Sequence, residues 1–306
     1  MRVLRGYTQP LTTPTVLTLG NFDGVHLGHA ALIARLRAKA AELGLPAAVL
    51  TFEPHPREFF APQQAPARLT TLREKLELLA DLGVDVSCVC RFNAPFAALS
   101  AEAFIRDVVV GGLQARHVII GDDFRFGARR AGDLALLQQR GAELGFTAEA
   151  MGSVLAVDER VSSSGVREAL ARGDMERATV LLGRPYIIDG RVVHGDKIGR
   201  QLGFATANIR IKHNPLPMTG VFAVEVAGVG TGLRLGVANL GTRPTLGGLR
   251  TLLEIHLFDF SGDIYGAHLS VRFVHKLRDE MKFPDLSALK AQIGRDVLAA
   301  RAFFQC

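Results

Sequence analysis

The chain's 306 residues are too many for a small disulfide-stapled fold and suit two domains or one large one. An apolar fraction of 48% beside 22% charged residues excludes a disordered chain, and no apolar run approaches the roughly 20 residues that a bilayer span needs. The basic excess, a net +6, is dispersed with its densest pair at "ARRAG", so it reads as weak steering of anionic small molecules or as an ordinarily basic proteome rather than as a nucleic-acid face.

The N-terminal "MRVLRGYTQPLTTP" lacks the apolar stretch of a signal peptide, and Cys88, Cys90 and Cys306 form neither a disulfide framework nor a zinc spacing. A cytoplasmic protein with inert thiols is expected. Short apolar runs then alternate with helical segments up to about residue 180. The predicted strands are "TVLTLG" (15–20), "AAVLTF" (47–52), "VDVSCVCRF" (84–92), "ARHVIIG" (115–121) and "FTAEAMG" (146–152), with helical patterns such as "TLREKLELLADLG" (71–83) and "SAEAFIRDVVVGGL" (100–113) between them. Strands so separated are joined by crossovers, which predicts a doubly wound parallel sheet with ligands at the carboxyl ends of the strands.

From "RPYIIDGRVV" (184–193) the texture changes to consecutive β-type runs: "GVFAVEVAG" (220–228), "LRLGVANLG" (233–241), "TLLEIHLFDF" (251–260) and "HLSVRFVHKL" (268–277). Without intervening helices such strands close most readily into a small antiparallel barrel. The tail "DLSALKAQIGRDVLAARAFF" (285–304) reads as one amphipathic helix packed on it. The predicted fold class is therefore α/β: a doubly wound parallel sheet, then a small antiparallel β-barrel with a C-terminal helix. The boundary at "LLGRP" divides the chain into domains 1–182 and 183–306.

Chemistry concentrates in "GNFDGVHLGH" (20–29), where the first apolar run turns into the helix "AALIARLRAKA" (30–40). A helix start presents unpaired N–H groups and partial positive charge, so phosphate binds there readily. Gly20, Gly24 and Gly28 let the chain turn tightly and approach a ligand. His26 and His29, three residues apart at the helix start, share one side and can donate to the same phosphate oxygens. Two histidines in a loop can also be surface decoration; strand, helix and glycines together favour an anion clamp. No Gly-Lys-Ser/Thr follows, so the stretch is not a Walker loop.

Two further stretches follow predicted strands, "TFEPHPREFF" (51–60) and "GDDFRFGARRAGD" (121–133). Their prolines and phenylalanines make a rigid apolar slot suited to a flat ring, and Asp123 can accept a hydrogen bond from a polar ring edge. Taken alone, Phe52, Phe60, Phe124 and Phe126 read as core residues. The serines of "RVSSSGVREAL" (160–170) stand before a helix, where a simple N-cap also fits. Along "LLEIHLF" (252–258), alternation puts Leu253, Ile255 and Leu257 on one face and Glu254, His256 and Phe258 on the other. Glu254 there is either poised for chemistry or a solvated carboxylate. Gly195, Gly199 and Gly203 of "GDKIGRQLG" (195–203) read as a mobile flap or as hairpin turns.

The H-x-G-H form of the first stretch resembles the signature of nucleotidyltransferases, distant relatives of class I aminoacyl-tRNA synthetases. With the other stretches, the chain resembles, in order and through both halves, the prokaryotic bifunctional riboflavin kinase/FAD synthetase (FMN adenylyltransferase) family. For the first half the resemblance implies attack of the FMN phosphate on the α-phosphorus of ATP, with pyrophosphate leaving and no covalent intermediate. It implies that His26, His29 and Arg167 are catalytic, that Gly20, Phe22, Asp23, Gly24, Gly28, Ser163 and Ser164 bind ATP, and that Pro54, Pro56, Phe60, Asp123 and Phe126 contact the isoalloxazine. Ser164 stands where the family has Thr; the hydroxyl survives, and Arg167 can still pair with the β,γ-phosphates.

For the barrel the resemblance implies riboflavin kinase. Glu254 would be the catalytic base, Thr206 and Asn208 of "ATAN" would bind Mg²⁺ and phosphate, and Gly195, Gly199 and Gly203 would close on a second ATP. The familiar tetrapeptide begins with Pro; Ala205 removes the stiffening of proline's fixed φ. Implied with it are Mg²⁺ as cofactor, ATP as co-substrate, and riboflavin, FMN and FAD as substrates or products. The chain is expected to be a monomer or weak homo-oligomer without nucleic-acid or membrane partners. One alternative is a flavin- and nucleotide-binding regulator with one or both activities lost, which Ala205, Ser164 and the basic charge favour. Another is a different adenylyl- or cytidylyltransferase with a nucleic-acid-binding barrel, which the acidic and aliphatic strands disfavour.

Overall fold

The computed structural model describes residues 1–195, 203–211, 215–245 and 248–306. It divides into two compact units, Met1–Pro66 with Thr70–Ser162, and Ala67–Leu69 with Ser163–Cys306.

The first unit is built on six parallel strands: β1 (Arg2–Arg5), β2 (Thr15–Leu19), β3 (Ala47–Glu53), β4 (Val86–Arg91), β5 (Ala115–Gly121) and β6 (Thr147–Met151). Their order is β1-β4-β3-β2-β5-β6. Helices α1 (Leu27–Leu43), α2 (Pro56–Phe60), α3 (Leu72–Asp81), α4 (Ala94–Ala97), α5 (Ala101–Ala103) and α6 (Leu134–Leu144) connect them. Parallel strands are buried on both faces, so neighbouring residues feed two cores. Val16, Val49 and Ile119 pack with Ile33, Leu36 and Leu79 on one side, and Leu17, Leu50 and Ile120 with Phe104, Val108 and Leu137 on the other.

Strand order reverses at β2, with β3 and β4 to one side and β5 and β6 to the other. Loops leaving the carboxyl ends at such a point splay apart and open a crevice. The loop leaving β2 is "GNFDGVHLGH".

Several local details differ from the sequence expectations. The edge strand β1 was not among the predicted strands; three of its four residues are exposed, so it carries almost no apolar alternation. The helix expected over 100–113 continues past α5 as a π-helix, Phe104–Gly112. Its end abuts the backbone at Tyr7, where a Cβ on Gly112 would lie 2.7 Å from a carbonyl oxygen, so only glycine fits. A small hairpin, β7 (Leu155–Ala156) and β8 (Glu159–Arg160), turns through Val157 and Asp158, both at positive φ. Cys88 and Cys90 are free, buried thiols with sulfurs 3.8 Å apart.

The second unit begins with α7 (Ser163–Arg172) and α8 (Met175–Leu182). Six antiparallel strands follow: β9 (Tyr186–Val193), β10 (Ala207–Ile211), β11 (Gly220–Ala227), β12 (Arg234–Thr245), β13 (Gly248–Leu257) and β14 (His268–Arg278). They close as β10-β13-β12-β11-β14-β9, with β9 pairing β10 to complete the barrel. Phe222, Val224, Leu240, Leu253, Ile255 and Phe273 fill the interior and are fully buried. The C-terminal helix α9 (Leu286–Phe304) covers outward-facing Val221, Ala223, Val237 and Phe258 through Ala300. Phe258, on the Glu254 face as expected, is therefore buried beneath α9 rather than solvated. Arg278 clamps that helix with a two-pronged ion pair to Asp296, at 2.8 and 2.6 Å.

Compactness divides the chain at Ser162/Ser163, whereas the change of sequence texture lies at 182/183. The reason is packing: α8 lies against β9 and β14, and a Cβ on Gly173 would collide with the Lys276 side chain.

Candidate active sites

The loop leaving β2 is tightly wound, with Phe22, Gly24 and Val25 at φ of 50°, 81° and 41°. Two of these residues disfavour that conformation, so the surroundings must impose it. Phe22 is fully buried and Val25 nearly so. Asp23 Oδ1 accepts from the Thr70 amide at 3.1 Å and the Thr70 hydroxyl at 3.2 Å, while Gly24 N–H donates to the same hydroxyl oxygen at 3.1 Å. Asp23 thus ties the loop down. Gly20 leaves room for the Phe22 ring, which would stand 3.0 Å from a Cβ there.

His26 caps α1. Its Nδ1 accepts from His29 N–H at 3.3 Å, so Nε2 carries the proton of the neutral ring. The imidazoles of His26 and His29 stack with centroids 3.6 Å apart and planes 15° from parallel, and Phe22 meets His29 at 5.0 Å. A Cβ on Gly28 would press to 3.2 Å from the His26 ring. Of the first amides of α1, that of His29 is taken by His26 Nδ1 and that of Ala30 by the His26 carbonyl, while those before them have no carbonyl one turn back. Thr18 Oγ1, Asn21 Oδ1 and His29 Nδ1 are buried nearby without a hydrogen-bond partner among the described residues.

Burial, then His26 and Lys75, hold the His29 imidazole well below its usual 6.5. It is a neutral donor at neutral pH. A base whose pKa falls on folding takes its proton more readily in the unfolded chain, so the stability it contributes is lost as pH drops below 6.5 toward the lowered value. Between pH 7.5 and 5.5, unfolding free energy should fall more steeply for the wild type than for His29→Gln, by up to about 1.4 kcal/mol per pH unit. Parallel pH profiles in denaturant titrations would contradict this. Lys75, 5% exposed with Nζ 3.5 Å from Thr51 Oγ1, brings a buried cation to the same neighbourhood.

The aromatic slot is larger than the sequence indicated. Phe60, the last residue of α2, is 67% exposed; Pro56 is the first residue of that helix, and Pro54 is half-buried before it. Ring contacts run from Phe60 to Phe92 (5.6 Å), Phe96 (5.7 Å), Phe104 (6.1 Å), Phe126 (5.2 Å) and Phe124 (6.3 Å). They join the loops after β3, β4 and β5 along the ligand edge of the sheet. Phe126 itself is 5% exposed and closed over by Gly132, which places it behind the slot, in the core that its residue type alone indicates. Exposed Asp123 accepts from Arg160 Nη2 at 2.7 Å. Ser163 opens α7, Ser164 follows, and Arg167 Nε donates to the Ala67 carbonyl at 2.6 Å within the second unit.

In the barrel, Asn208, Glu254 and Asn239 stand opposite one another across β10, β13 and β12. Opposed residues share a face, here the outer one. Two cavities flank β13. The larger, about 550 Å³, is lined by Thr206, Asn208, Ile255, Leu257 and the loop Phe260–Tyr265. The smaller, about 320 Å³, is lined by Thr206, Asn239, Glu254, His256 and Phe283. Alternation along β13 thus serves both, and Thr206 lines both. Gly195 passes so close that a Cβ would lie 2.5 Å from Asn208 Nδ2, and Gly203 sits at φ +90°. Gly199 lies outside the described residues.

Asn208 is 6% exposed, its Nδ2 directed at the Thr206 carbonyl 3.5 Å away. Among the described residues no three His, Cys, Asp or Glu side chains group as metal ligands. A hydroxyl and an amide oxygen are hard donors that fit a cation taking its remaining ligands from substrate phosphates and water, as Mg²⁺ commonly does.

Sequence reasoning missed Lys75, Phe92, Phe96, Asn239 and the role of His256. A single Lys in an amphipathic helix reads as a solvated position, and the phenylalanines read as core. Asn239 could have been found by aligning the β12 and β13 alternations.

Family models match both halves: FAD synthetase over residues 8–165 and riboflavin kinase over residues 182–304. The chain is 49% identical to the bifunctional riboflavin kinase/FMN adenylyltransferase of Escherichia coli (strain K12), covering 99% of this chain and 98% of that one. Identity is 50% to the protein so named from Haemophilus influenzae, over 94% of each chain, and 48% to that of Pseudomonas fluorescens, over 99% and 97%. A crystal structure of a macrolide-efflux protein from Streptococcus pneumoniae shares the fold, with a TM-score of 0.84, 27% identity and coverage of 98% and 99%. Among the described residues, no helix is long and apolar enough to cross a membrane.

Proposed function

From the premise that the chain belongs to the bifunctional riboflavin kinase/FMN adenylyltransferase family, we propose which of its residues perform each reaction. The protein is a transferase that makes FMN from riboflavin and ATP, and FAD from FMN and ATP. The functional division is 1–182 for adenylyl transfer and 183–306 for the kinase.

In the kinase, riboflavin enters the smaller cavity with its ribityl chain toward Thr206, and ATP enters the larger. Glu254 removes the proton of the terminal hydroxyl as the oxygen attacks the γ-phosphorus and ADP leaves. Thr206 and Asn208 would hold Mg²⁺ and phosphate, and Gly195 and Gly203 would lie against nucleotide. When bound, Mg²⁺ would neutralise phosphate charge. The observation that carries this reading is that Thr206 lines both cavities while Glu254 opens into one and Asn208 into the other.

In adenylyl transfer, the FMN phosphate attacks the α-phosphorus. His26 Nε2–H, His29 and the first amides of α1 stabilise the charge growing on the non-bridging oxygens, more strongly in the transition state than before it. Gly20, Phe22, Asp23, Gly24 and Gly28 hold that loop in shape, and Lys75 adds positive charge. Ser163, Ser164 and Arg167 take the β,γ-phosphates. Pro54, Pro56 and Phe60 wall the isoalloxazine, Phe126 backs that wall, and Asp123 accepts from the polar ring edge. We place the enzyme in the cytoplasm as a monomer or weak homo-oligomer that acts on small molecules alone.

Incubation with riboflavin, ATP and Mg²⁺, read by chromatography, should show FMN and then FAD, and excess EDTA should stop both steps. Riboflavin recovered unchanged would instead support the regulator.

A further inference from the structure

We infer that His256 is a positioning residue of the kinase: it fixes, from the flavin side of β13, the turn that presents Thr206 to nucleotide. This rests on reading the barrel as the kinase site.

The imidazole Nδ1 of His256 donates to the Ala205 carbonyl at 2.9 Å. That carbonyl belongs to the peptide plane joining Ala205 to Thr206, so holding it sets the orientation of Thr206. The Phe204 ring meets the imidazole edge-on, with centroids 5.5 Å apart and planes at 87°. His256 in turn lies 6.2 Å from the Phe258 ring. Phe258 is buried and carries the Arg301 guanidinium 4.6 Å above it. The anchor is therefore itself anchored to α9.

The same strand supplies both parts. Glu254 and His256 are two residues apart and share the outer face, so β13 fixes the base and the turn together. Where a ring-locked φ is missing at Ala205, a hydrogen bond to its carbonyl restrains the same segment from outside. His256 lines the smaller cavity, while Ala205 lines the larger. The bond therefore ties one cavity wall to the other.

Two substitutions separate the donor from the ring. His256→Asn keeps an N–H donor on the γ-carbon and loses the ring; His256→Phe keeps the ring and loses the donor. With riboflavin saturating, His256→Phe should lower kcat/KM for ATP about tenfold, the expected worth of one such hydrogen bond. His256→Asn should recover most of that loss. In an Ala205→Pro background, the penalty of His256→Phe should shrink, because the ring supplies the restraint. A thermal melt of each variant reports whether the barrel is folded, and FAD formation from supplied FMN, measured on the same preparations, reports the same for the first unit.

The inference is overturned if Asn and Phe impair phosphorylation equally, or if the Phe penalty is the same with Ala or Pro at 205. Should the double variant fail to fold, the Asn and Phe comparison decides alone. An unmutated chain that leaves riboflavin unphosphorylated would remove the kinase reading itself, which is a different failure.

Discussion

Replacing Glu254 with glutamine should lower riboflavin phosphorylation by about 10²- to 10⁴-fold, the usual worth of a general base, while FAD formation from supplied FMN continues. Glutamine preserves size and polarity at the centre of the Asn208, Glu254 and Asn239 row, so the barrel has no reason to repack. What disappears is the capacity to accept the alcohol proton. KM for riboflavin and ATP should therefore move little while kcat collapses. If the carboxylate were merely a solvated group on a strand, the loss would be less than about tenfold. Rate measurements with saturating substrates distinguish these outcomes.

Replacing His29 with alanine should do the reverse. FAD formation should fall by about 10²- to 10³-fold, the effect of removing one prepositioned donor from developing phosphate charge, and FMN made from riboflavin should accumulate. Two consequences act together. The His29 donor is lost, and the His26 ring loses the partner stacked on it at 3.6 Å. His26 keeps its cap on α1, since it accepts from the backbone N–H of residue 29, which alanine retains. The helix start should thus persist, and intact kinase activity would show that the protein has folded. A variant that still makes FAD at the wild-type rate would return the histidines to the alternative of surface decoration.

The features legible in the sequence were those with a long period or a dense motif. Strand and helix alternation revealed the parallel sheet because its central strands, β2 to β5, are apolar runs buried on both faces. Alternation along β13 correctly separated Leu253, Ile255 and Leu257 from Glu254 and His256, because a barrel wall has an inside and an outside. The crevice at β2 was foreshadowed by glycines and histidines between strand and helix.

What escaped was set by contacts distant in sequence. The apolar slot draws Phe92 and Phe96 from segments that look like core until the sheet edge gathers them. Lys75 became buried because α3 turns it toward the loop after β2, which its helical pattern does not encode. The strand β10 was masked by the ATAN motif, which drew attention as chemistry rather than as backbone pairing. Residues 163–182 follow the first texture in sequence but pack with the barrel, so periodicity and compactness give different boundaries. The consequence of Ala205 changed as well, since His256 restrains the turn where proline is missing.

The central claim is that one chain carries two separable reactions linked by FMN. The most direct measurement mixes equal amounts of the Glu254→Gln and His29→Ala proteins with riboflavin, ATP and Mg²⁺ and follows FAD by chromatography. Each alone should yield almost none, and the mixture should restore it through FMN made by one protein and adenylylated by the other. A mixture that makes no more FAD than the better single variant, though the Glu254→Gln protein still converts supplied FMN and the His29→Ala protein still makes it, would contradict the account.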